Sequence, residues 1–440
     1  MYPDSPKEVA SSDVVPIGNG LARIAYVVLC AFVMLLPWGE DFLIISGFSL
    51  TTWIGVALFG IAAMRILVIR QTRKPTLLHY WMLAFVGWIG LSILWTTDRD
   101  ITATFIGTYL QLLILVWLVW ELVSNQRLVQ GLLQSYVIGT LVASLMTLYN
   151  FANGRTAAQL AAEQGIERWE TSRYSVSGVN ENDLGVILAL SIPIIFYLLV
   201  SGKSPLIKLI CWLQLVAGIT SIFLTASRGA LLAAIIGSVM FPLTVSRLPL
   251  RQKLISLFAC VALIASGVYL IPPSSWSRIA AFKTELSEGT LTHRTLIWVA
   301  GLSVFRDHPF LGVGPGTYGL NILRMVDIPL VAHNTFLSVL VELGVGGALL
   351  LVGLLGCLFY CATRMRYLER CLWITLLLTW AVGVSSLTWE YRKPTWLLFA
   401  VLVAHAYSRR TDQRAEKEAV QSGSAQGANE ESWLSLRECS

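Results

Sequence analysis

Runs of roughly twenty apolar residues recur along this chain, and no other feature narrows its possible folds so far. They lie near 21–38, 48–69, 77–95, 101–122, 128–149, 183–200, 205–225, 229–245, 251–271, 334–358, 368–387 and 394–407. A helix crosses the hydrocarbon layer in about 20 apolar residues. The expected fold is therefore all-α: a polytopic integral membrane protein of about 12 transmembrane helices. Composition closes off the alternatives. The AVILMFWYC set makes up 55% of the chain and charged residues only 13%, against the roughly 25% that usually covers a soluble surface. A soluble enzyme, a disordered chain and a disulfide-stapled secreted fold are excluded. The net charge of +6, spread over many loops, gives no nucleic-acid footprint.

Charge sets the orientation. Basic residues follow the even-numbered stretches: Arg70, Arg73 and Lys74; Arg127; Lys203 and Lys208; Arg247, Arg251 and Lys253; Arg364, Arg366 and Arg370; Arg409 and Arg410. With the tails, Arg23 and Arg65, 20 of the 32 Lys and Arg fall on that side, which predicts cytoplasmic termini. Residues 1–20 read as a cytoplasmic tail without the basic start of a signal peptide. The transmembrane body spans 21–407, and 408–440 is polar enough to read as a disordered cytoplasmic tail. Two long connections, 150–182 and 272–333, fall on the outer side. No cysteine lies in either, and no Cys or His cluster suggests a metal. The two halves share no repeat, which counts against a transporter or flippase built from matched halves.

Polar clusters at the outer rim are where chemistry is expected. Arg228 stands in a turn, Thr225–Gly229, between two apolar stretches. A snorkelling arginine is the plainer reading; an anion clamp is the functional one, since five donors in a planar fork suit phosphate oxygens. A helix too short to span is expected from Thr290 or Thr292 to about Phe305, amphipathic and lying near the interface, with His293 and Arg294 at its anion-favouring start. Arg306, His308, Gly314, Gly316 and Tyr318 follow in a glycine-rich segment. No strand precedes it and no Gly-Lys-Ser follows, so a compact bend is expected in place of a nucleotide loop. His333 and Asn334 stand where the long loop re-enters the membrane. His333 reads either as a helix cap or as a general base. Arg173, Asn180, Asn182 and Asp183 end the other long loop, either capping the next helix or hydrogen-bonding a sugar. Asp98 and Asp100 have metal-motif spacing, but read as acids at a helix start.

The set Ser227–Arg228–Gly229, Arg294 with Trp298, Asp307–His308–Pro309 leading into Gly312-x-Gly314-x-Gly316, and His333–Asn334 ahead of Glu342–Leu–Gly resembles the bacterial O-antigen ligase and polymerase superfamily. The sharp motifs lie in about 225–347. The resemblance implies a polytopic, C-type glycosyltransferase of the inner membrane with its active site facing the periplasm. It implies a polysaccharide donor on undecaprenyl diphosphate, a lipid A–core oligosaccharide acceptor, and neither cofactor nor metal. The single His-Asn loop favours the ligase branch. An O-antigen polymerase or a protein O-oligosaccharyltransferase of the same superfamily are the alternatives. Against that chemistry His333 is the expected base, and Arg228 and Arg294 the expected diphosphate clamp. His293, Arg306, His308, Gly314, Gly316, Tyr318, Asn334 and the Arg173 group are expected to bind substrate.

Overall fold

A computed structural model of the chain describes residues 14–39, 44–45, 48–163, 173–176, 178–244, 294–326 and 329–408. The helices among them are α1 (Val14–Leu35), α2 (Leu50–Ile69), α3 (Leu77–Leu91), α4 (Arg99–Leu122), α5 (Gln126–Ala152), α6 (Ala157–Ala162) and α7 (Glu181–Ser201). After these come α8 (Pro205–Leu224), α9 (Arg228–Thr244), α10 (Arg294–Asp307), α11 (Tyr318–Val326), α12 (Thr335–Thr363), α13 (Tyr367–Val384) and α14 (393–408). A two-residue antiparallel pairing joins Ile44–Ile45 to Phe48–Ser49.

Eight of the described helices, α2–α5, α7, α8, α12 and α13, are long and apolar enough to cross a membrane. Two shorter apolar helices, Gly20–Leu35 and Arg228–Phe241, accompany them. Eleven of the twelve apolar stretches thus coincide with helix; 251–271 lies outside the described residues, as do 272–293 of the long loop and the tail from 409.

The packing order follows from which helices are apolar all round. Every residue of α7 from Leu184 to Leu198 is buried. Such a helix belongs in the middle of a bundle, and α7 packs against α5, α8, α9 and α13. α2 is nearly unburied, with Val56 61% exposed, so it is an outer helix facing lipid.

Asp98 caps α4, its carboxylate accepting from the Ile101 N–H at 2.9 Å, and Asp100 lies in the first turn. This is the helix-start role expected of the pair. At the far end of the same helix Arg73 lies 3.9 Å from the Trp120 ring centroid. Its N–H donates to Glu121 at 2.7 Å, and Arg65 pairs with that carboxylate at 3.5 Å.

One helix departs from its sequence reading. α12 is broken at Gly344, where φ is +64° and ψ −168°. In hydrocarbon each backbone group freed by such a break costs several kcal/mol unless it finds a partner. The glycine-rich segment supplies those partners. Val345 N–H donates to Pro309 O at 2.8 Å, Val313 N–H to Val341 O at 3.2 Å, and Gly314 N–H to Glu342 O at 2.8 Å. Trp88 Nε1 donates to Leu343 O at 3.0 Å. The expected compact bend is present, with positive φ at Gly312, Gly314 and Gly316. A Cβ at Gly312 would overlap the Glu342 backbone, and one at Gly344 the Phe310 backbone.

Gly344→Ala therefore meets both a left-handed φ and a steric block. It is expected to destabilise by about 1–3 kcal/mol or more, read as a lowered Tm in detergent. An unchanged Tm would show that the break is not held by this packing.

Candidate active site

The loops 95–98, 173–183, 225–228, 294–334 and 385–392 gather at one end of the bundle. Thr97 N–H donates to Val313 O at 3.0 Å and Tyr174 N–H to Leu224 O at 3.1 Å. His333 N–H donates to Thr388 Oγ1 at 3.0 Å.

His333 is the pivot. It has φ +46°, one of three non-glycine residues with positive φ among those described. Backbone held in this region persists only where its surroundings over-determine it. Here they do. Asn334 caps α12 by accepting from Leu337 N–H at 3.1 Å. Thr335 Oγ1 donates to Leu387 O at 2.9 Å and accepts from Trp389 N–H at 2.8 Å. Trp298 Nε1 donates to Ala332 O at 2.9 Å, tying α10 to the residue before His333. Burial, and then the charge of Arg294, lower the His333 imidazole to about pH 4. The ring is neutral at pH 7 and keeps a lone pair for a proton.

The turn 385–392 links His333 to Arg228. Arg228 is half-buried at the start of α9, and the next residue, Gly229, packs so closely on Ser386 that a Cβ would overlap its Oγ. Ser386 and Thr388 are two residues apart, a reach of at most about 7 Å. The turn Thr225–Gly229 carries its own backbone irregularity, φ +48° at Ala226.

The Arg173 group is a staple. Arg173 is 5% exposed. Its Nε donates to Thr225 O at 2.7 Å, its Nη2 to Asn182 Oδ1 at 2.7 Å, and its Nη1 lies 3.7 Å from Glu181 Oε2. Asn180 caps α7 through the Asn182 N–H at 2.9 Å. Asp183 accepts from Trp389 Nε1 at 2.8 Å and lies 3.6 Å from Arg392. At this loop end the helix cap is in place.

Other expected residues fall elsewhere. Tyr318 is buried, its hydroxyl donating to Ile297 O at 2.9 Å and its N–H to Glu342 Oε1 at 3.1 Å. A Cβ at Gly314 would meet Thr96, and one at Gly316 would meet Phe105, so both glycines face packed protein. Arg306 and His308 are exposed at the far end of α10. Arg306 lies twelve positions beyond Arg294, about 18 Å along the helix at 1.5 Å per residue. The structure brings Arg294 and His333 together, and leaves Arg306 and His308 distant. His293 lies outside the described residues.

α10 ends close to its expected limit, and its expected start at Thr290 or Thr292 lies outside the described residues; its character differs from the amphipathic helix expected. One face buries Ile297, Ala300 and Val304 against Tyr318, Ile322 and Val341. The other exposes Leu296, Val299 and Leu302. Exposed apolar side chains on a helix at this end of the bundle suit the lipid interface.

Sequence reasoning missed the 385–392 turn. The available signal was Trp389–Glu390–Tyr391–Arg392–Lys393, five polar or aromatic residues between two apolar stretches. Glu390 is buried there, and burial raises its carboxyl to about 7. Among the described residues no three His, Cys, Asp or Glu side chains group as metal ligands would.

The fold and site define a multi-pass helical membrane protein with a cationic, histidine-bearing polar site at one end of its bundle. Residues 213–352 match the family model described as O-antigen ligase, which supports a member of the O-antigen ligase and polymerase superfamily. The matched segment holds Arg228, Arg294 and His333. No curated protein matches the chain.

Proposed function

We propose that the chain is an O-antigen ligase: it transfers polysaccharide from undecaprenyl diphosphate to a sugar hydroxyl of lipid A–core, at the periplasmic face of the bacterial inner membrane. The observation that carries this reading is the convergence of Arg294 on a neutral, left-handed His333, within the segment matched to the family.

The donor brings its own leaving group, so the site must supply cations at the diphosphate and one proton acceptor. Arg294, at the start of α10, and Arg228, at the start of α9, lie where anions are favoured. The acceptor hydroxyl gives its proton to His333 as its oxygen attacks the anomeric carbon. The carbon–oxygen bond to the diphosphate breaks, and the electron pair leaves with the phosphate. One displacement inverts the anomeric configuration. The chemistry is a single-base one, unlike the two-carboxylate arrangement of most glycosidases. Asn334, by capping α12, fixes the His333 backbone.

Purified protein supplied with undecaprenyl-diphosphate polysaccharide and lipid A–core should form the joined product at the same rate with and without EDTA. Absence of product with an active donor would overturn the ligase reading. In cells, gene loss should leave long polymer on the carrier lipid; accumulation of single repeat units would identify a polymerase instead.

The orientation has its own test. In a Cys-free background, cysteine at exposed Asn153 should react with an impermeant thiol reagent in spheroplasts, while cysteine at exposed Ser204 should be protected. The reverse pattern would invert the topology.

A further inference from the structure

Arg294 and His333 sit on separate elements, and α10 must point the right way for them to meet. Arg294 starts α10, and His333 stands just before the Asn334 cap of α12. One tie between the two elements lies beside the pair: Trp298 Nε1 donates to Ala332 O at 2.9 Å. A single hydrogen bond fixes a point but leaves the helix able to pivot about it.

Tyr318 supplies a second point. It is 2% exposed and held at both ends. Its N–H donates to Glu342 Oε1 at 3.1 Å, on α12. Its hydroxyl donates to Ile297 O at 2.9 Å, on the first turn of α10. An interior helix carbonyl already accepts from the N–H four residues on, so this bond is additional to the helix's own. Gly301 leaves room for it, since a Cβ there would overlap the Tyr318 hydroxyl. Glu342 lies before the break at Gly344, eight positions beyond the Asn334 cap, about 12 Å at 1.5 Å per residue. The contacts close a frame. It runs from Asn334 along α12 to Glu342, across Tyr318 to Ile297, and back one turn to Arg294, whose charge reaches His333.

We propose that Tyr318 is a positioning residue: braced on Glu342, it sets the direction of α10 and so holds the Arg294 guanidinium against His333. The assignment rests on the glycosyl-transfer reading above, in which those two side chains serve one displacement. In such a site a misplacement of about 1 Å can cost 10²-fold in rate. Phenylalanine would fill the same space and pack on Ala300, Val304 and Ile322 as the tyrosine does, but it could not grip Ile297. The hydroxyl therefore serves orientation more than packing. Among the described residues the charge that acts on the His333 ring, after burial, is that of Arg294. Coulombic interaction falls with separation, so the ring's titration reports where Arg294 lies.

The experiment uses full-length protein, carbon-13 labelled at histidine, in phosphatidylcholine nanodiscs. The His333 signal is assigned by its loss in His333→Asn, and its titration is followed by NMR without any turnover. The wild-type ring should titrate near pH 4. Tyr318→Phe should move that titration upward, short of 6.5, and lower kcat/KM about tenfold or more. Gly301→Ala, whose Cβ displaces the hydroxyl, should do the same with Tyr318 intact. In an Arg294→Gln background Tyr318→Phe should add no further shift, because no charge is left to place. Tyr136→Phe is the matched control, deleting a buried hydroxyl that donates to Ile187 O at 2.8 Å between α5 and α7. It should lower Tm comparably and leave titration and rates unchanged. A wild-type titration in Tyr318→Phe, whatever its Tm, would overturn the proposal. So would an upward shift that persists in the Arg294→Gln background. An Arg294-dependent shift without any transfer to lipid A–core by the wild-type protein would instead overturn the ligase reading and leave the positioning role standing.

Discussion

His333→Asn is expected to lower transfer by about 10²–10⁴-fold, the usual cost of losing a general base, while the protein still folds. Asparagine is the informative replacement because His333 sits at φ +46°, a region that Asn tolerates better than Ala. His333→Ala would remove the base and add about 1–2 kcal/mol of backbone strain, so its activity loss would be confounded with lost protein. The ring's environment predicts a pH profile as well. In the free enzyme the imidazole is lowered to about pH 4. It is neutral and competent above that value and loses competence as pH falls through it. The acid limb of kcat/KM, which reports the free enzyme, should therefore lie near pH 4, below the ordinary histidine value of about 6.5. Bound donor offsets part of the Arg294 charge, so the acid limb of kcat should lie at higher pH than that of kcat/KM. Arg294→Gln should move the kcat/KM limb upward but not all the way to 6.5, since burial is the larger cause of the shift. Wild-type turnover in His333→Asn would rule out His333 as the base and turn attention to Glu390, on the adjoining turn, whose carboxyl is raised to about 7.

The spans were readable because burial in lipid demands continuous apolar runs, and α2, α7 and α12 declare themselves by hydropathy alone. The pairing of Arg294 with His333 was readable only as two separate motifs. They lie 39 positions apart in sequence, and nothing local says that the start of α10 docks beside Ala332. The break in α12 was hidden for a different reason. Gly344 stands in Glu342–Leu–Gly–Val–Gly–Gly, apolar enough to pass as uninterrupted span. What unwinds it is the tertiary pairing with 309–316, which no periodicity records. Arg173 has partners that no local pattern announced. It stands in a long outer loop, and it bonds Thr225 and Asn182 and lies beside Glu181. A guanidinium's partners are set by the fold and not by its sequence neighbours. The 385–392 turn carried a visible polar and aromatic cluster. Its meaning depended on Thr388 and Ser386 meeting His333 and Gly229, from loops 55 and 157 positions away.

Arg228→Lys and Arg294→Lys are expected to cost nearly as much transfer as the alanine variants. Lysine keeps the charge but presents a compact ammonium in place of the planar five-donor fork that grips two phosphate oxygens at once. The contrast separates a clamp from an anchor, because an arginine that merely reaches for lipid headgroups is replaced by lysine without loss. The two positions should also differ from each other. Arg294 acts on the His333 ring, so Arg294→Lys should retain the low acid limb of kcat/KM near pH 4 while losing donor affinity, and Arg294→Ala should lose donor affinity and move that limb upward, though not to 6.5. Arg228 reaches the site through the Gly229–Ser386 contact and the turn beyond it. Its substitutions should weaken donor binding without moving that limb. Each variant is read by initial rates, donor KM and the pH profile, with Tm in detergent as the check on folding. Near-normal rates in both lysine variants would remove the diphosphate clamp. Loss in Arg294→Lys alone would confine the clamp to α10 and leave Arg228 as a membrane anchor.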